Sequence, residues 1–74
     1  MVNIFIALPP TSRGRWSVWE GEALLAFSAS QKEALSVAER RARAVMVQGQ
    51  SVSVRLERAD GHWDKVRMLP GTPA

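Results

Sequence analysis

The chain has 74 residues, no cysteine and one histidine, and its ten Lys and Arg residues outweigh seven Asp and Glu to give a formal net charge of +3. This length allows a single domain, the lack of cysteine excludes a disulfide framework, and a lone imidazole cannot build a zinc site. The charge is compatible with an anionic partner but lacks the density of a dedicated nucleic-acid-binding arm.

Runs of β-branched and aromatic residues predict that most of the chain outside one helix is strand. The predicted strands span residues 2–8, 15–20, 23–28, 51–58 and 62–69. Residues 1–69 then form a single domain, and residues 70–74 are expected to be a disordered C-terminal tail. The apolar N-terminus has no basic region and stops at Pro9, so we expect no targeting segment, a cytoplasmic location and no membrane contact.

The second and third strands are expected to form a hairpin around Gly21-Glu22. A two-residue turn with glycine at its first position puts Trp19 opposite Leu24. The same register points four apolar side chains toward the helix, in the pairs Trp16 with Phe27 and Val18 with Leu25.

A helix is predicted over residues 31–48, with a signal at each end. Ser30 and Glu33 form a capping box, in which the Ser30 hydroxyl accepts the Glu33 N–H and the Glu33 carboxylate reaches back to the Ser30 N–H. Gly49 stands where a left-handed cap commonly ends a helix. Between them, a spacing of three and four residues forms one apolar stripe: Ala34, Leu35, Ala38, Ala42, Val45 and Met46.

The last two strands form a second hairpin, whose register depends on the length of its loop. A three-residue loop at 59–61, with Gly61 left-handed in a G1 bulge, pairs Val54 with Val66. A two-residue turn would instead set Val54 opposite Arg67 and expose the apolar set, so the longer loop is preferred. It points five side chains away from the helix: Arg55, Glu57, Trp63, Lys65 and Arg67.

The predicted fold is α+β in the order β-β-β-α-β-β, with the single helix packed on one face of an antiparallel-rich sheet. Its most buried residues are expected to be Trp16, Val18, Leu25, Phe27, Leu35, Ala38, Ala42, Val45, Val52, Val54 and Val66.

The sheet face turned away from the helix is the candidate functional surface. It is expected to carry Trp19, Leu24 and Trp63 among the basic residues Arg15, Arg55, Lys65 and Arg67. Such a surface suits a protein interface or a homodimer, in which Phe5 would join the apolar cluster and the charged residues would form the rim. It also suits a nucleic acid, because aromatic rings stack on bases while Arg and Lys meet phosphates.

The sequence contains no second histidine, glycine-rich phosphate loop or nucleophile elbow. We therefore expect a protein that is not an enzyme, with no cofactor, no metal site and no small-molecule pocket. The basic run Arg40, Arg41 and Arg43 is expected to be a solvated helix face, with Glu39 paired to Arg43. His62 is expected to be an exposed turn residue.

Three short motifs allow a comparison with known families: Trp16-Ser17-Val18, then Phe27 followed by Gln31-Lys32-Glu33-Ala34, and finally Gly61-His62-Trp63. Together they resemble a family of small bacterial domains of unknown function, with a W-x-V strand, an E-A helix start and a G-x-W hairpin. That resemblance implies a fold and no activity. Residues 14–43 are also similar to the arm-binding N-terminal domain of phage-type integrases, which implies a sheet that enters the DNA major groove.

Overall fold

The computed structural model describes residues 1–11 and 13–69, so the predicted tail at 70–74 lies outside the described residues. Within these ranges the elements are β1 (Val2–Ala7), β2 (Trp16–Glu20), β3 (Ala23–Ser28), α1 (Gln31–Val47), β4 (Val52–Glu57) and β5 (Trp63–Leu69). Every predicted element is present, and each predicted end lies within one residue of the observed end.

The strands form one sheet in the order β3-β2-β1-β4-β5. β1 is antiparallel to β2 and parallel to β4, while β2–β3 and β4–β5 are antiparallel hairpins. The parallel pair needs a long crossover, and α1 lies in the connection that provides it. The structure thus confirms the α+β prediction and places β1 at the centre of the sheet.

The core lies between α1 and one face of the sheet. The helix contributes Ala34, Ala38, Ala42 and Val45, and the sheet contributes Ile4, Ile6, Val18, Val52 and Val54. Each buried Ile or Val side chain stabilises the fold by about 1.5–3 kcal/mol, whereas an alanine methyl contributes less. The core is therefore thin, because three of its nine residues are alanines.

Six residues of the predicted core are buried as expected: Val18, Ala38, Ala42, Val45, Val52 and Val54. Trp16 and Leu35 are partly buried and pack against this cluster. The prediction omitted Ile4 and Ile6, which are fully buried in the central strand. It was wrong for three residues that are exposed: Leu25, Phe27 and Val66.

Both ends of α1 match the sequence signals closely. The Glu33 N–H donates to Ser30 Oγ over 3.1 Å, but the Glu33 carboxylate accepts from Ala29 N–H rather than from Ser30 N–H. Gly49 has a φ of 90°. Its N–H donates to the Met46 carbonyl, and the next N–H donates to the Val45 carbonyl, which is the hydrogen-bond pattern of a Schellman cap.

The first hairpin contains a bulge that the sequence did not predict. Gly21 has the positive φ expected in the turn, and Trp19 lies opposite Leu24 as predicted. The register then shifts by one residue at Leu25, so Val18 pairs with Ala26 and Trp16 with Ser28. Phe27 consequently lies opposite Ser17, on the face away from the helix, which corrects the prediction that it packs in the core.

The second hairpin contains a similar bulge in its outer strand. The three-residue loop is present, with Gly61 at a φ of 90° and its N–H donating to the Arg58 carbonyl. The register shifts at Val66, so Val54 pairs with Arg67 instead of Val66. Arg67 therefore falls on the helix side, where the sequence analysis had placed the apolar partner of Val54.

Candidate interaction surface

The sheet face opposite α1 carries most of the aromatic side chains of the protein. We call it the aromatic face, defined by Phe5, Ser17, Trp19, Leu24, Phe27, Arg55, Trp63, Lys65 and Met68. These residues share a face because all except Met68 lie opposite, or two positions from, another member in the strand register. Met68 lies opposite Ser53, which is two positions from Arg55.

One row of the aromatic face crosses the whole sheet. In strand order it runs Leu24, Trp19, Phe5, Arg55 and Lys65, each paired with the next. Side chains paired across neighbouring strands lie about 4.5–5.5 Å apart at Cβ, so the row is continuous. It is apolar over β3, β2 and β1 and cationic over β4 and β5.

Several large apolar side chains on this face have no cover from the described part of the chain. Leu24 and Trp63 are each 42% exposed, Met68 is 49% exposed and Phe27 is 59% exposed. Trp19 and Phe5 are half-buried among their neighbours. Large apolar side chains gathered on one face mark an interaction site more often than scattered ones do.

Contacts within the face hold some of these side chains in place. The rings of Phe5 and Trp63 meet edge to face, with centroids 5.5 Å apart and an interplanar angle of 78°. Trp19 Nε1 donates to Ser17 Oγ over 2.9 Å. The face therefore presents indole and phenyl surfaces in fixed orientations, which reduces the entropy that a partner must overcome.

The cations predicted for this face do not all lie on it. Arg55 is half-buried there, and its Nε donates to Ser53 Oγ over 3.4 Å. Lys65 lies beside it and is exposed, and Arg15 is exposed just before β2. Arg67 is on the other side of the sheet, where its Nε contacts Glu39 Oε1 at 3.1 Å. The bulge at Val66 causes this difference, since it shifts the register before Arg67.

Two ion pairs tie the helix to the sheet on the other side. Arg41 contacts Glu20 through two nitrogens, at 2.6 and 3.3 Å, and Arg67 contacts Glu39. Hydrogen bonding from Arg41 lowers the pKa of the Glu20 carboxyl below its usual value. The predicted Glu39–Arg43 pair is wrong, because Glu39 contacts β5 instead.

His62 is exposed at the tip of the second hairpin, as predicted. Its backbone N–H and its ring both contact the Asp60 carboxylate, which lowers the pKa of that carboxyl. The described ranges contain no group of three or more His, Cys, Asp or Glu side chains placed to hold a metal ion. Within residues 1–11 and 13–69, no helix has the length and apolar character required to cross a bilayer.

Sequence reasoning missed two members of the aromatic face, Phe27 and Met68. Both follow a bulge in an outer strand, and neither bulge is marked by a glycine, so regular pairing assigns these side chains to the opposite face. One feature of the sequence did indicate an apolar surface there: Phe5 alternates with Ile4 and Ile6 in β1 and therefore lies on the face away from the core.

Comparison with protein-family models, with curated proteins and with solved structures finds no match to this chain. Its function is therefore inferred from the surface itself.

Proposed function

We propose that the chain is a non-catalytic association module that forms a homodimer through the aromatic face. One observation carries this proposal. Of the five aromatic residues in the sequence, only Trp16 packs against the core, while Phe5, Trp19, Phe27 and Trp63 lie on the aromatic face. The protein thus has more aromatic side chains on the uncovered side of its sheet than packed against its core.

The sheet of a second copy can pack against such a surface and bury it. Two sheets pack about 10 Å apart with their strands roughly 30° from parallel, so that side chains of both inner faces interdigitate. Five strands spaced about 4.8 Å apart and about 20 Å long give a face of roughly 500 Å². Two copies would bury about 1,000 Å² in total, near the lower limit of specific interfaces. We therefore expect a dimer that dissociates on dilution.

The two halves of the aromatic face complement each other. Because β1 is the central strand, a two-fold axis along it lays β4 and β5 of one copy over β2 and β3 of the other. Arg55 then lies over the Trp19 ring of the second copy, a cation–π arrangement, and Lys65 lies over its Leu24. Like charges are kept apart in this orientation.

The bulges favour a second copy over a nucleic acid. They place Phe27 and Met68 on the aromatic face and leave Arg67 on the helix side. The face thereby gains two apolar side chains and loses one cation relative to the surface expected from sequence. Phosphate recognition needs cations, whereas a sheet interface gains from apolar area.

Replacing Trp19 with Ser tests this proposal. Sedimentation equilibrium from about 5 to 500 μM should show a monomer–dimer equilibrium for the natural chain and at least a tenfold weaker one for Trp19→Ser, since each 1.4 kcal/mol lost is tenfold in affinity. Val47→Ser is the matched control, because Val47 is 73% exposed on α1, away from the aromatic face. It should dimerise as the natural chain does.

The natural chain should also show weak dependence of dimerisation on salt, because apolar burial dominates the interface. A monomer over the whole concentration range would overturn the proposal. So would saturable binding of fluorescein-labelled single-stranded DNA or RNA that falls steeply with salt and is lost in the double variant Arg55→Glu and Lys65→Glu, since the face would then serve a nucleic acid.

A further inference from the structure

A groove runs between α1 and the free edge of β3, on the side of the sheet opposite the aromatic face. We call it the edge groove and define it by Leu25, Lys32, Ser36, Val37, Arg40 and Ala44. It consists of two depressions of about 320 and 630 Å³, both lined by Val37 and Arg40. Phe27, at the sheet edge, borders both the groove and the aromatic face.

The bulge in β3 and the small side chains of α1 account for the groove. Leu25 is the extra residue of the bulge and lies beside Val37 and Ala44, yet 37% of it stays exposed. Short side chains at 37 and 44 do not extend far enough to cover it. The result is an apolar floor at one end of the groove, next to an edge strand whose outer backbone groups face no further strand of the sheet.

The other end of the groove carries polar side chains and more cations than carboxylates. Lys32, Ser36 and Arg40 line it together with one carboxylate, that of Glu33. Glu33 is already engaged at the helix cap, where its side chain accepts from the Ala29 N–H. Within residues 1–11 and 13–69, neither Lys32 nor Arg40 contacts a carboxylate, whereas Arg41 nearby is held by Glu20. Lys32 and Arg40 are thus available to an acidic ligand.

Within residues 1–11 and 13–69, the space between helix and sheet is smaller at the opposite edge. There the Arg67–Glu39 ion pair bridges β5 to α1, and the space beside it measures about 90 Å³. The two edges therefore differ, one being closed by a salt bridge and the other open.

We propose that the edge groove binds an extended acidic peptide, which lies beside β3 as an added strand. Strand addition supplies main-chain hydrogen bonds, and the side chains that face the groove supply specificity. Alternate residues of a strand point to the same side. The ligand would therefore carry apolar residues over Leu25 and, on the same side, Asp or Glu near Lys32 and Arg40.

Two fluorescein-labelled peptides serve as probes. One is Ser-Leu-Thr-Leu-Thr-Glu-Thr-Glu, and the other has the reversed sequence, which tests binding in the opposite strand direction. Leucines and glutamates share one side of this peptide, as the groove requires. Fluorescence polarisation should show saturable binding of one of the two, and replacing its glutamates by lysine should abolish binding. Backbone amide NMR should show the largest shift at Phe27. The N–H groups of Ala26 and Ser28 point to β2 in this register, whereas the N–H of Phe27 points to the free edge.

Arg40→Glu should weaken binding by about tenfold, because an attraction is replaced by a repulsion. Arg58→Glu is the matched control, since it makes the same charge change at the exposed second hairpin, away from the groove, and should leave the affinity within about twofold. Leu25→Ser should weaken binding by about tenfold through lost apolar contact. These residues are exposed, so the variants are expected to fold, which circular dichroism checks.

Equal losses in Arg40→Glu and Arg58→Glu would overturn the proposal, because binding would then depend on net charge alone. The absence of saturation by both peptides up to about 1 mM would overturn it as well. The measurement is repeated in Trp19→Ser, where dimerisation is expected to be at least tenfold weaker. If the peptide still binds to that variant, binding at the edge groove does not depend on dimerisation through the aromatic face.

Discussion

Gly49 ends α1 in a conformation that residues with a side chain avoid. Its φ of 90° lets two backbone N–H groups turn back to the last helical carbonyls. At the other end of the helix, Ser30 Oγ accepts a hydrogen bond from the Glu33 N–H. Both roles are local, since each depends on a few neighbouring residues. That is why the sequence predicts the helix bounds well.

Gly49→Ala should destabilise the protein by about 1 kcal/mol, because the added Cβ is strained at positive φ. Urea unfolding followed by circular dichroism measures the change in the free energy of unfolding. Gln48→Ala is the control, since Gln48 has a φ of −80° that alanine adopts freely. Equal stability of Gly49→Ala and the natural chain would show that the cap does not depend on this conformation.

At the level of elements, the outer strand of each hairpin carries one extra residue. The bulges lie at Leu25 in β3 and at Val66 in β5, both at the edges of the sheet. A bulge bends an edge strand and interrupts its regular hydrogen-bonding pattern at that position. It also moves every side chain beyond it to the opposite face.

Phe27→Ala should therefore cost less than about 1 kcal/mol of monomer stability, because the ring is mostly exposed, whereas Trp16→Ala should cost about 3 kcal/mol or more. The free energies of unfolding are compared in the Trp19→Ser background, so that dimerisation does not contribute. A loss in Phe27→Ala as large as that in Trp16→Ala would mean that the hairpin pairs without a bulge.

The sequence predicted the elements, the turns and the pairing nearest each turn, since these follow from local propensity and hydrophobic alternation. Trp19 opposite Leu24 and the three-residue loop at 59–61 are examples. It did not predict the pairing beyond the bulges, because an extra residue in an edge strand is stabilised by packing across the whole sheet. Arg67 shows the consequence, as its ion pair with Glu39 joins positions far apart in the chain.

At the scale of the whole molecule, a thin core under one face of the sheet leaves stability dependent on the other face. Alanines supply a third of the nine core residues, and the larger apolar groups lie outside the core. In a dimer that buries the aromatic face, folding and association become linked, because only the folded chain presents that face.

The melting temperature of the natural chain should accordingly rise with protein concentration. Association of folded copies stabilises the native state by mass action, so tenfold more protein favours it by up to about 1.4 kcal/mol per dimer. Calorimetric scans at several concentrations measure the shift, and Trp19→Ser should melt at one temperature throughout. The same concentration dependence in both proteins would locate the association elsewhere.

The parallel pairing of β1 with β4 has a consequence for biosynthesis. Val2 pairs with Val52, so the central strand leaves the ribosome well before the strand that completes it. At about 5–20 residues per second, the nascent chain spends several seconds with one side of β1 unsatisfied. During that interval an apolar strand is open to pairing with neighbouring nascent chains. β1 is thus enclosed only when β4 arrives, and the interval before then is when this strand is most exposed to aggregation.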